Sequence, residues 1–247
     1  MPADALARSR KRRNGYEVLC EAVFRPLAHP LVLVFAWLGV PPPAVVLASG
    51  AAGIAAAVQI GRGSLIAAAL LIQLKTLLDN ADGQLARLTG RTSAFGRYLD
   101  SEVDLLVNVA LFAAIGHHAG QPLAGLVGLV ALTSVLSLNF NAARLSRAAT
   151  AEPETGGRPT EWLRMVYRVV YAPQDRLAEW VVARRPALIS TTCLSVLANL
   201  GMSTQLAVLG VCLVFGAPFV FAWIAFAELA IITLALLPQR TPVEETA

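Results

Sequence analysis

The chain has 247 residues, 56% hydrophobic and only 15% charged, with 20 Lys and Arg against 16 Asp and Glu and a mean hydropathy of +0.62. A soluble domain is nearer half apolar and a quarter charged. Several apolar windows reach the roughly 20 residues that cross about 30 Å of hydrocarbon, which excludes a water-soluble globule. The basic residues sit beside apolar runs, not on a soluble face, which sets nucleic-acid binding aside. Cys20, Cys193 and Cys212 are too few and too scattered for a disulfide framework or a zinc pattern.

Residues 1–42 read as a cytoplasmic basic N-terminus and an interfacial helix. Arg8, Arg10, Lys11, Arg12 and Arg13 suit an anionic leaflet, and no cleavage site follows them. Glu17, Glu21 and Arg25 make the next stretch amphipathic. The apolar run LVLVFAWLGV is too short to span before Pro41-Pro42-Pro43 stops it, which predicts a helix lying along the membrane surface.

Residues 43–237 are expected to form the transmembrane domain. A first span, 43–60, has Gly50, Gly53 and Ala57 for close packing. A second runs from Ser64 to Leu88 and, after Thr89-Gly90-Arg91-Thr92-Ser93, a third from Phe95 to His117. A fourth covers 121–147. Residues 148–186 form a polar loop whose segment 161–183 carries Trp162, Leu163, Val166 and Val170 at helical spacing, a surface helix. The stretch 187–237 is too long for one crossing, and Gly216-Ala217-Pro218 divides it into spans five and six. Residues 238–247 form a tail. The fold class is therefore all-α, a polytopic membrane bundle of six transmembrane helices plus an N-terminal juxtamembrane amphipathic helix. With both termini in the cytoplasm, the outer turns hold Arg62 alone and the inner segments hold the remaining flanking arginines, as the positive-inside rule requires.

The second and third spans carry acids at the inner end. Asp79 and Asp82 are three apart, and Gly96, Asp100 and Asp104 are each four apart, so each set shares a helix face. The short link lets the two faces meet, which predicts four converging carboxylates. Such a cluster needs compensation in low dielectric. Hard divalent cations supply it: Mg²⁺ takes carboxylate oxygens and substrate phosphates, and paired ions serve displacement at phosphorus. Gly83 and Ala86 would clear space for a planar or phosphate group, Gly96 would permit close backbone approach, and Arg87 offers a fork for phosphate oxygens.

The string Asp79-x2-Asp82-Gly83-x2-Ala86-Arg87-x8-Gly96-x3-Asp100-x3-Asp104 resembles the signature of the CDP-alcohol phosphotransferase family at all eight positions. The resemblance implies transfer of a phosphoryl-alcohol group, such as phosphatidyl, from a CDP-linked donor to an acceptor alcohol in phospholipid biosynthesis, with release of CMP. It implies that Asp79, Asp82, Asp100 and Asp104 bind two Mg²⁺ or Mn²⁺ ions, that Asp104 is also the general base, and that Gly83, Ala86, Arg87 and Gly96 bind the nucleotide. It further implies a homodimer among membrane lipids, and a cytoplasm-facing site. A sequence rich in Ala and Arg with few lysines points to a bacterial plasma membrane.

The motif leaves the donor open between CDP-diacylglycerol and a soluble CDP-alcohol. Branches with anionic acceptors often place a basic residue just after the last aspartate, and Leu105 stands there. Arg144 and Arg147 sit where acceptor-binding cations would be useful, with a positive-inside anchor as the other reading. Lys75 either reaches a phosphate or snorkels to the interface. Glu228, inside span six, is either functional or paired with a neighbouring span. Two other functions compete. Intramembrane prenyltransferases also hold Mg²⁺ and pyrophosphate with acids, but on motifs far apart in the bundle. A cation transporter would need midplane acids on several spans, and only Glu228 qualifies.

Overall fold

The computed structural model describes residues 15–146 and 161–236, with the side chains of 162–164, 166, 167 and 169–171 outside that description. The basic run 8–13, Arg147, the tail 238–247 and the side chains of Trp162, Leu163, Val166 and Val170 thus lie outside the described residues. Every regular element among those described is helical: α1 (Cys20–Trp37), α2 (Pro42–Gly61), α3 (Leu65–Leu88), α4 (Ala94–His118), α5 (Pro122–Ser146), α6 (Glu161–Arg184), α7 (Thr191–Ala198), α8 (Met202–Val214) and α9 (Pro218–Leu236). Among the described residues, five stretches are long and apolar enough to cross a membrane: α1, α2, α5, α7 with α8, and α9. The helices α3 and α4 are as long, at 24 and 25 residues, but carry the acids.

Local sequence explains the boundaries. Pro42 opens α2 because its fixed φ suits the first helical turn. Between α3 and α4, Gly90 adopts φ 67°, which only glycine reaches without cost. There the Gly90 N–H donates to the Arg87 carbonyl at 3.3 Å and the Arg91 N–H to the Ala86 carbonyl at 2.8 Å, a Schellman stop. Ser93 then caps α4, its Oγ accepting the Gly96 N–H at 3.0 Å. Thr-Gly-Arg-Thr-Ser is therefore a complete helix-stop and helix-start signal.

Two expectations change. The N-terminal apolar stretch is not too short: α1 is continuous over 18 residues with mean hydropathy 1.2, because its first turn is π-helical and Pro30 is accommodated within it. Span five is broken at Asn199-Leu200-Gly201. Asn199 explains the break, since its side chain accepts the Val18 N–H at 2.9 Å and donates to the Tyr16 carbonyl at 2.8 Å, docking the segment before α1.

Among the described residues the core consists of apolar clusters. The largest core cluster joins Ile60 of α2, Ile72 of α3, Leu111 and Phe112 of α4, Leu132 of α5, Leu209 and Leu213 of α8 and Phe221 of α9. On α3 and α4 it stays on the side of the acids remote from the connecting turn. Helix α2 packs on both α3 and α4, while α3 and α4 make at most marginal backbone contact with each other. Gly50 and Gly53 permit this: a Cβ at either would stand 2.5 Å from a methyl of Val103 or Val107. The two motif helices thus form the walls of a cleft and α2 its back.

Candidate active site

Across that cleft Asp79 of α3 meets Asp100 and Asp104 of α4. One carboxylate oxygen from each lies within 4.8 Å of the other two. Three hard oxygen donors at this spacing fit an ion that prefers oxygen, Mg²⁺ or Mn²⁺, better than one that prefers sulfur or imidazole. The side chains of Asp79 and Asp104 keep 16% and 19% of their surface exposed, so an ion and a phosphate can reach them.

Asp82 departs from the expected convergence. It is buried and its Oδ1 accepts the N–H of Gly83, one residue on, so its carboxylate stands outside the triangle. The structure therefore brings together three of the four acids. At Gly83 the nearest neighbours of an added Cβ would be the Arg87 guanidinium nitrogens, Nη1 at 3.3 Å and Nη2 at 3.4 Å, so the missing side chain gives the guanidinium its place. At Gly96 a Cβ would lie 3.2 Å from Ser93 Oγ, so this glycine keeps room beside the cap. Ala86 and Arg87 are half-buried on the next turn of α3.

Lys75 does not snorkel to the interface. It is 1% exposed, and its Nζ donates to Asp79 Oδ1 at 2.9 Å and to Asp104 Oδ1 at 2.5 Å. The bond to Asp79 is legible as an i,i+4 pair. The bond to Asp104 has no sequence signal, since it depends on how α3 and α4 are held apart.

Other polar residues lie elsewhere. Arg144 pairs with Glu179 of α6, both partly exposed, so it is held by the surface helix. Glu228 accepts from Gln205 Nε2 at 2.6 Å, which is the interhelical pairing. His117 and His118 are exposed at the far end of α4. Glu102 is buried, and its Oε1 has no hydrogen-bond partner among the described residues.

The family model described as CDP-alcohol phosphatidyltransferase matches residues 30–235. The chain belongs to that family. Among its relatives, the archaetidylinositol phosphate synthase of Methanothermobacter thermautotrophicus is 34% identical over 122 residues, 49% of this chain and 62% of that one. The phosphatidylinositol phosphate synthase of Streptomyces avermitilis is 36% identical over 92 residues, 37% and 38% of the two chains. The bifunctional IPC transferase and DIPP synthase of Thermococcus kodakarensis is 35% identical over 86 residues, 34% of this chain and 20% of that one. None of these matches reaches two thirds of the relative's length. The crystal structure of Mycobacterium tuberculosis phosphatidylinositol phosphate synthase with CDP-DAG bound aligns at 23% identity and TM-score 0.39, over 81% of this chain and 92% of that one. That likeness is too loose to place a residue of this site.

Proposed function

We propose that the protein transfers a phosphatidyl group from CDP-diacylglycerol to the hydroxyl of an acceptor alcohol and releases CMP. The observation that carries this is the meeting of Asp79, Asp100 and Asp104 inside a complete eight-position motif. Asp79, Asp82, Asp100 and Asp104 would hold a pair of Mg²⁺ or Mn²⁺ ions. When bound, the ions would neutralise the diphosphate and favour departure of CMP. Gly83, Ala86, Arg87 and Gly96 receive the nucleotide, with Arg87 placed as a fork for phosphate oxygens. Asp104 takes the proton of the acceptor hydroxyl. The freed oxygen then attacks the phosphorus that carries the lipid alcohol, and CMP leaves with the electrons of the broken phosphoanhydride bond.

The relatives' names point to inositol phosphates as acceptors. Leu105 after the last aspartate assigns no charge to the acceptor, and Arg144, half-exposed beside Glu179, is with Arg147 the candidate to bind it. The remainder of the proposal is a six-span homodimer in a bacterial plasma membrane, termini and site toward the cytoplasm, with α1 lying across the inner surface. The bonds and packing that tie α1 to α3 gather on the second half of α3, at Asn80, Ala81, Gln84 and Leu85, as expected for a helix that crosses it and does not run alongside.

The test is purified protein with Mg²⁺, CDP-diacylglycerol and a panel of alcohols including glycerol phosphate, inositol phosphate and uncharged polyols, with CMP release measured. One acceptor should drive CMP release, and Asp104→Asn should lower it by about a hundredfold or more while CMP still binds. Release of CMP from no member of the panel, or full turnover by the variant, counts against the reaction or the base respectively.

A further inference from the structure

The geometry of Lys75 points to a role the motif does not contain. Its side chain is among the largest of the described residues with under 2% exposure. Lysines are almost never so deeply buried unless paired, and this one is paired twice, with residues on opposite walls of the cleft. Both partners belong to the triangle that can hold a metal. Its ammonium lies 2.9 and 2.5 Å from the two Oδ1 atoms, so it fills the space between them. A Mg²⁺ ion bridging those oxygens would need roughly 2.0–2.1 Å to each and could not share that space.

We propose that Lys75 is a tethered stand-in for the divalent cation: in the metal-free protein its ammonium holds Asp79 and Asp104 in facing positions, and metal binding displaces it. The inference rests on the metal reading above. The reason is physical. The helices α3 and α4 make at most marginal backbone contact, so some cation must offset three facing carboxylates if the cleft is to keep its shape. Lys75 does so before the ion arrives, and the acids are then already in place when metal and nucleotide bind. Lys75 is thus a positioning residue, acting through Asp79 and Asp104.

The test is the full chain in detergent, wild type and Lys75→Met, each melted in EDTA and in Mn²⁺, with Mn²⁺ binding read separately by electron paramagnetic resonance. The variant should melt about 5 °C or more below wild type in EDTA, and Mn²⁺ should close most of that gap, because the ion supplies the lost charge. A lysine serving packing alone would leave the same gap under both conditions, which would overturn the inference. If the variant can be purified only with Mn²⁺ present and unfolds on chelation, the inference stands. If it fails to fold even with Mn²⁺ throughout, the inference fails. Failure of Mn²⁺ to bind to either protein would instead remove the metal reading itself, so the two failures are distinguishable.

Discussion

Asp79 and Asp82 occupy equivalent places in the sequence motif, yet the fold treats them differently. Asp79 points across the cleft to Asp100 and Asp104, whereas Asp82 turns back to the backbone of Gly83. In the absence of nucleotide, Asp79→Ala should therefore weaken Mn²⁺ binding about tenfold or more, one pair-wise contribution of roughly 1.4 kcal/mol, and Asp82→Ala should weaken it less. With CMP and a second ion present the two variants should converge. Titration of Mn²⁺ with and without CMP reads both, and equal losses without nucleotide would show that Asp82 already faces the ion. The difference was not legible in the sequence, since i,i+3 spacing fixes a shared helix face but not a rotamer. Lys75 makes the same point in reverse. Its spacing to Asp79 could be read as an ion pair, but its grip on Asp104 arises only when α2 sets the two helices apart.

At the level of the helices, the site depends on glycines that touch none of its chemistry. Gly53 seats α2 against Val107 of α4, where an added Cβ would meet two methyl carbons at 2.5 and 2.8 Å. Gly53→Ala should cost about 1–3 kcal/mol, the usual range for overpacking, and should lower turnover further by tilting the wall that carries Asp104. Adding Val107→Ala should restore much of both, because the clash is with that side chain. Gly61→Ala, which meets nothing within 4 Å, should be silent. Thermal unfolding and CMP release of the set decide it, and a Gly53→Ala variant as stable as Gly61→Ala would show that α2 does not fix the cleft. Here the sequence was informative. Small residues at 50 and 53, the stop at Gly90, the cap at Ser93 and the break before Pro218 are all local signals, and the helices start and stop within a residue or two of them. The break at Asn199 escaped because its cause is a long-range bond to Tyr16 and Val18.

For the whole molecule, the open question is how many helices cross. Length and composition allow α1 to span, but its ties to α3 do not run the length of that helix. They gather on Asn80, Ala81, Gln84 and Leu85, near the end where the chain turns into α4. Its C-terminal end leads through a short turn into α2, whose first residues join the same cluster at Val45. We propose on this ground that α1 lies across the bundle and does not cross the membrane. Charge agrees, since Arg62 stands alone among the flanking arginines on the far side. With Cys20, Cys193 and Cys212 replaced, single cysteines at the exposed positions Tyr16, Leu38 and Arg62 can be labelled by a membrane-impermeant maleimide in sealed vesicles of known orientation. Tyr16→Cys and Leu38→Cys should react from the same face and Arg62→Cys from the opposite one. Reaction of residues 16 and 38 from opposite faces would make α1 a seventh crossing and would reverse the side on which every later turn, including the one beside the acids, must lie relative to the N-terminus.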